Sequence, residues 1–315
     1  MIRKAAIISI SGICLTYEEI NIFKKEKPWG VILFKRNIVS IIQVKKLTNS
    51  IKKIMKDKKY PILIDEEGGR VTRLTSFLNN SRFDQKYFSD IYKIDKKIGL
   101  TIYKNYINSI SKHLLYLGIN INTSPVIDLH QKKTHNIIGN RSYSENPIIV
   151  NTLGRFCVEL YKKNKIASVI KHIPGHGKAN TDSHFELPVV KDNLKLLKKN
   201  DFKCFKNIQS HFAMTAHILY SKIDNTNNAT HSKILIKKII REEIGFKGVI
   251  ISDDISMKAL KYDIVKNAKL AHEAGCNLIL YCAGKKHEVK KLLKETPYID
   301  SFTKKKTSEF YKFLS

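Results

Sequence analysis

The stretch Lys171–Pro188, KHIPGHGKANTDSHFELP, holds three histidines, two lysines, one aspartate and four Gly or Pro residues in eighteen positions. It follows an apolar run, Ile166–Ile170, that reads as a buried strand. Reactive side chains on a Gly/Pro-rich loop, directly after a strand, combine a rigid anchor with an adaptable arm. Within the loop, Asp182-Ser183-His184 places a carboxylate two residues from an imidazole. That pairing suits general acid/base work, because the carboxylate stabilises imidazolium and holds its pKa near neutrality. His176 reads as a residue that shapes the loop.

Other reactive groups cluster in the same way. IDEEGGR presents Asp65, Glu66, Glu67 and Arg70; SPVIDLH presents Asp128; AMTAHI presents His217; VIISDD presents Ser252, Asp253 and Asp254. Carboxylates together with Arg and Lys make charge-assisted hydrogen bonds to sugar hydroxyls. An aspartate can also act as a nucleophile at an anomeric carbon. The pattern therefore points to a polar, polyhydroxylated substrate. Plainer roles stand beside these. Asp65 and Asp128 could cap helices, Gly68-Gly69 could be a simple turn, and His217 could be a core histidine. Asp254 reads as the cap of a helix starting near Ile255, which would leave Asp253 to face the site.

The elements that must position these groups are legible as apolar runs of strand length. They are Ala5–Ile10, Gly30–Phe34, Pro61–Asp65, Ile119–Asp128, Ala167–His172, Phe212–Ile218, Gly248–Asp253 and Asn277–Cys282. Most are continuous rather than alternating, as expected of parallel strands buried on both faces. Helix-length stretches lie between them: Tyr17–Lys25, Val39–Lys56, Lys86–Leu117, Pro147–Asn164, Leu194–Gln209, Lys233–Ile244 and Met257–Ala274. His287–Lys294 and Thr303–Leu314 follow the last strand. Eight β/α repeats predict an α/β fold, a single (β/α)8 TIM barrel spanning residues 1–315 as one catalytic domain. A doubly wound sheet is the alternative, but Ser11-Gly12-Ile13-Cys14 is not the Gly-rich fingerprint such a sheet carries after its first strand. In a barrel, functional residues belong at strand C-termini. The third to seventh strands all end in Asp, Lys or His.

Composition narrows the class. Hydrophobic content of 43% and charged content of 27% suit a soluble globular chain. No apolar run approaches the roughly 18 residues of a transmembrane span, so no membrane association is expected. The N-terminal MIRKAAIISISGICLTYEE reads as a first core strand rather than a secretory leader. Five scattered cysteines, with no CxxC pair, argue against a disulfide framework or a thiolate metal site. Cytoplasmic localisation is the expectation. The net charge of +29 comes mostly from lysine spread along presumed helix faces, and arginine occurs at only eight positions. Lys, Ile and Asn share AT-rich codons, so coding bias accounts for the charge without a nucleic-acid partner.

Taken together, ILFKRN (Ile32–Asn37), IDEEGGRVTRL (Ile64–Leu74), SPVIDL (Ser124–Leu129), IIGNRSYS (Ile137–Ser144), KHIPGHG (Lys171–Gly177), DSH (Asp182–His184) and GFKGVIISDDISMKAL (Gly245–Leu260) resemble the β-N-acetylhexosaminidases of glycoside hydrolase family 3. In order and spacing these motifs cover most of the chain. The resemblance implies a single TIM barrel, with Asp253 as nucleophile, His184 as general acid/base and Asp182 as its electrostatic partner. It implies Asp65, Arg73, Arg141, Lys171 and His172 as substrate-binding residues. The implied reaction is retaining hydrolysis of terminal β-linked N-acetylglucosamine. The implied substrate is GlcNAc–1,6-anhydro-MurNAc, with or without its peptide, in cytoplasmic cell-wall recycling. No cofactor, no metal and no macromolecular partner are implied, and a monomer is expected. The segment Gly175–Asp182 is expected to swing His184, with Gly175 and Gly177 as hinges. Lys171 is expected to help keep Asp253 ionised. Three positions depart from the family pattern: Glu66 stands where Gln is frequent, Ile173 where Phe is frequent, and Asn140 where an acid is common.

Two other functions compete. A metal-dependent barrel hydrolase could use His172, His217 and an aspartate, although Lys171 would repel the cation. A non-catalytic protein could use its lysines to bind a polyanion.

Overall fold

The computed structural model describes residues 2–131, 138–177 and 186–315. The eight expected strands are all present in order: β1 Lys4–Ser9, β2 Pro28–Leu33, β3 Ile62–Ile64, β4 Ile121–Asn122, β5 Ala167–Ile173, β6 Phe212–Thr215, β7 Val249–Asp254 and β8 Leu278–Tyr281. Each pairs in parallel with its neighbours in sequence, and β8 closes on β1 through Ala6 opposite Ile279 and Ile8 opposite Tyr281. The result is a closed parallel barrel with helices outside it, the (β/α)8 architecture.

Side-chain alternation divides the apolar residues into two cores. Ala5, Ile7, Leu63, Phe212, Met214, Val249 and Ile251 fill the barrel, whereas Ala6, Ile8, Ile62, Ile64, Ala213 and Ile250 pack outward against the helices. Both faces are buried, which is why the strands read as unbroken apolar runs. At the N-terminal end of the barrel, Trp29 sits 5.5 Å from Phe212 and 6.3 Å from Phe310 between ring centroids. Its indole N–H donates to Thr307 Oγ1 at 2.9 Å. Both Thr307 and Phe310 come from the last helix, Ser301–Phe313, which therefore plugs this end.

Several expected elements are shorter than their apolar runs. The fourth strand keeps a regular ladder only over Ile121–Asn122. The cis Ser124–Pro125 bond follows, and proline has no N–H to offer a ladder. Pairing with β5 resumes irregularly, with the Ile127 N–H on Lys171 O at 2.8 Å. The stretch Lys86–Leu117 is two helices, Gln85–Ile94 and Lys96–Tyr116. The break falls at Asp95, whose extended backbone and carboxylate cap the second helix at the Ile98 N–H. Leu194–Gln209 contains two short helices meeting at Asn200, and Leu235–Glu243 is wound as a π-helix. The helix expected over Met257–Ala274 begins only at Ile264, capped by Asp263.

A small parallel pair, Val189–Val190 with Leu219–Tyr220, lies outside the barrel. It ties the chain after the 178–185 segment to the loop after β6. No helix among the described residues is long and apolar enough to cross a membrane.

Candidate active site

The C-terminal ends of β2, β3 and β5–β8 surround a cavity of about 310 Å³, toward the small end for a ligand site. Asp65, Arg73, Arg141, Lys171, His172 and Asp253 all line it. Six sequence-selected residues, spread over 189 positions from Asp65 to Asp253, thus meet at one place. Asp182 and His184 lie outside the described residues.

The loop leaving β3 supplies a fixed charge lattice. Asp65 is 3.0 Å from Arg73 and 3.1 Å from Lys171, and it accepts from the Thr123 hydroxyl. Glu67 takes a two-pronged contact from Arg141, with Nε at 2.8 Å and the second guanidinium nitrogen at 2.9 Å, and lies 2.6 Å from Lys171 Nζ. Burial works against the ionised form of both carboxyls, but the cations outweigh it. Lys171 and Arg73 hold Asp65 well below the usual carboxylate range. Arg141 and Lys171 hold Glu67 at about 2. Lys171 and Arg141 are in turn raised, burial being outweighed by these same acids.

Glu66 and Glu67 are neighbours with opposite duties. Glu66 turns away from the cavity and gathers the Arg73 and Leu74 N–H groups, the Thr72 hydroxyl and the Asn80 amide. It organises the loop that presents Arg73. Asn140 donates to Asp84 at 2.6 Å and so helps seat the turn carrying Arg141.

β5 contributes Lys171 and His172, joined by a cis peptide, and both side chains line the cavity. His172 Nδ1 is 2.7 Å from Asp128 Oδ2, and its backbone N–H donates to Oδ1 at 3.1 Å. The carboxylate can only accept, so Nδ1 carries a proton. Asp128 is fully buried and also accepts the His176 N–H at 2.7 Å. His172 lowers its pKa despite that burial. The His176 ring packs edge-on to His172, 5.5 Å between centroids, and burial pushes its pKa down to about 4. His176 thus shapes the strand end, as expected.

The expected hinge glycines each meet a packing need. A Cβ on Gly177 would come within 1.7 Å of the Leu129 carbonyl oxygen. Gly175 has a φ of +142°, and its carbonyl accepts from the Tyr220 hydroxyl. The near end of the loop is therefore seated firmly rather than loosely.

Asp253 is the penultimate residue of β7 and faces the cavity. Burial raises its pKa, but the His217 and His172 imidazoles, the Asp254 N–H at 2.8 Å from Oδ1, and Lys171 leave it below the ordinary aspartate value. Lys171 acts in the expected direction but is the last of these influences, and its Nζ is engaged by Asp65 and Glu67. Asp254 does not cap a helix. Its carboxylate accepts from the Ser256 N–H, the Ser256 hydroxyl and the Cys282 N–H, which fixes the turn after β7.

His217 is fully buried, with Nδ1 on Thr230 Oγ1 at 2.7 Å and Nε2 on the Asp254 carbonyl at 3.0 Å. Both ring nitrogens are committed, so it is not placed to ligate a metal with His172.

Glu67 and Asp128 were noted from sequence as reactive groups at strand ends but given no role in the site, and Thr123 was not noted at all. Glu66 and Glu67 lie beyond the end of β3, so no strand alternation separates them in the sequence. Nothing local marks Thr123, whose role depends on the neighbouring strand.

A half-buried ionised aspartate beside three cations and two further carboxylates, in a sugar-sized hollow at the barrel mouth, is an arrangement for gripping hydroxyls and attacking an electrophilic carbon. Residues 8–301 match the family described as glycosyl hydrolase family 3 N terminal domain. The chain belongs to this family and is a glycoside hydrolase. Among its relatives, a β-hexosaminidase of Neisseria meningitidis serogroup C is 33% identical over 289 residues, 89% of this chain and 78% of that protein. A β-hexosaminidase of Hydrogenovibrio crunogenus is 34% identical over 259 residues, 80% of this chain and 71% of its own. The crystal structure of NagZ from Neisseria gonorrhoeae in complex with N-trifluoroacetyl-D-glucosamine superposes with a TM-score of 0.88 at 30% identity, covering 100% of this chain and 91% of that one.

Proposed function

We propose that this enzyme is a retaining β-N-acetylhexosaminidase that removes terminal β-linked N-acetylglucosamine. The observation that carries this is the placement of the half-buried Asp253 carboxylate in the same cavity as Asp65, Arg73, Arg141, Lys171 and His172. The names of the relatives, and the N-acyl glucosamine bound to the gonococcal structure, support the sugar. In this reading Asp253 attacks the anomeric carbon and the glycosidic oxygen leaves with a proton from His184. Water then gives a proton to His184, attacks the same carbon and frees Asp253. Asp182 stabilises the imidazolium. Asp65, Arg73, Arg141, Lys171 and His172 bind the sugar hydroxyls and the N-acyl group. GlcNAc–1,6-anhydro-MurNAc, with or without its peptide, is the substrate we assign, with residues 1–315 acting as one monomeric catalytic unit in cytoplasmic cell-wall recycling.

The test compares nitrophenyl β-GlcNAc with nitrophenyl β-glucose, using wild type, Asp253→Ala and His184→Ala. Preference for the GlcNAc substrate is expected, with a β-configured first product by NMR. Asp253→Ala should abolish turnover, and His184→Ala should lose more than about a hundredfold. Near wild-type turnover by Asp253→Ala would refute the nucleophile, and by His184→Ala the acid/base.

A further inference from the structure

We infer that Thr230, on the loop after β6, is a positioning residue that holds the backbone of the Asp253 nucleophile through a buried hydroxyl–imidazole chain. The inference rests on the assignment of Asp253 above. Backbone pairing between β6 and β7 ends with Met214 opposite Ile251, two residues short of Asp253. On the other side, the β7–β8 register shifts between Leu278 and Leu280. Pairing with β8 resumes at Leu280 opposite Asp254, with the Ile255 N–H on Leu280 O at 3.0 Å, so at Asp253 it is on the β6 side that the regular ladder has ended.

Side chains take over from that point. The Asp253 N–H donates to Thr215 Oγ1 at 3.3 Å, and His217 Nε2 meets the Asp254 carbonyl at 3.0 Å. Thr230 Oγ1 joins the two, 2.8 Å from Thr215 Oγ1 and 2.7 Å from His217 Nδ1. The carbonyl of Asp254 can only accept, so Nε2 carries the ring proton. Thr230 has Nδ1 and the Ala216 carbonyl, at 3.3 Å, as acceptors for its hydroxyl, Thr215 donates to Thr230, and Thr215 accepts from Asp253. Every donor then has an acceptor, and both ends of the Asp253-Asp254 dipeptide are gripped. Thr215, His217 and Thr230 are all fully buried. Valine would fill the place of either threonine, so packing alone does not require the hydroxyls. Thr230 is itself seated by its N–H on Asn228 Oδ1 at 3.0 Å, and the preceding Ala229 N–H bonds Ile218 O at 2.8 Å.

A group that aims a nucleophile without touching substrate should affect kcat and spare KM. On nitrophenyl β-GlcNAc, per mole of folded enzyme, Thr230→Val is expected to lower kcat at least about tenfold, since small misplacements of reacting groups are costly. KM should stay within about twofold, and Thr230→Ser, which keeps the hydroxyl, should restore most of kcat. Thr215→Val should reproduce the loss. The double variant should be little worse than the poorer single one, because both break one chain. Unchanged kcat in Thr230→Val, equal loss in Thr230→Ser, or multiplying losses in the double variant would each overturn the inference. If Thr230→Val does not fold, Thr215→Val decides by the same kcat and KM criteria. Asp253→Ala separates the two levels. If it stays active, the nucleophile assignment fails; if it is dead while the threonine variants are not, only the positioning role fails.

Discussion

Lys171 Nζ lies between the carboxylates of Asp65 and Glu67, and Arg141 completes the grip on Glu67. At this scale electrostatics sets a pH limit on the molecule. The Glu67 carboxyl stands at about 2 in the folded chain, against an ordinary 4.5. A depressed acid contributes stability in full above its ordinary value and loses it as pH falls toward the folded one. Glu67→Gln should therefore be less stable than wild type at pH 7, by about 3 kcal/mol for a broken buried pair. That gap should narrow between pH about 4.5 and about 2. Denaturant midpoints at several pH values measure it, and a gap independent of pH would contradict the ion-pair account. The pairing of Glu67 was not legible in the sequence. IDEEGGR shows two adjacent glutamates, and only the path of the loop decides that Glu66 binds backbone while Glu67 meets Arg141, seventy-four positions away.

Elements were read most reliably where a simple pattern marked them. Continuous apolar runs located all eight barrel strands, because burial on both faces leaves no polar alternation. Helix ends were read less well. Lys86–Leu117 keeps its apolar periodicity across Asp95, although the backbone there is extended and starts a new helix. The segment after Asp254 forms a turn before Asp263 begins the next helix. Asp263 accepts from the Val265 N–H at 2.9 Å and the Lys266 N–H at 3.3 Å. Asp263→Ala should cost about 1 kcal/mol, read as a lower denaturant midpoint with kcat unchanged. A loss of activity at unchanged stability would mean that this residue reaches the site in some other way. The loop carrying Asp182 and His184 is flanked by two fixed points, the Gly175–Gly177 seat and the Val189–Val190 pair.

Across the whole molecule, the barrel separates its two ends by task. The C-terminal mouth holds the charged cavity, and the N-terminal end is sealed by Trp29, Phe212 and Phe310. Phe310 is fully buried and belongs to the last helix. Phe310→Ala should destabilise by about 3–5 kcal/mol, the cost of emptying a large core site, and lower the melting temperature. Activity below the melt should persist, since the cavity is at the other end. Loss of turnover in the folded variant would show that the plug also tunes the mouth.

The sequence by itself determined the eight-strand plan and the set of reactive residues, because buried strands and strand-end polar groups are local in the chain. It grouped Asp65, Arg73, Arg141, Lys171, His172 and Asp253 through the resemblance of its motifs to a known family. Only the tertiary structure decided how those charges are shared. Lys171 serves Asp65 and Glu67 before Asp253, Asp128 orients His172, and Thr215, Thr230 and His217 hold β7 where its backbone pairing with β6 ends. Such partnerships depend on distances between strands closed into a ring, and a linear pattern carries no record of them.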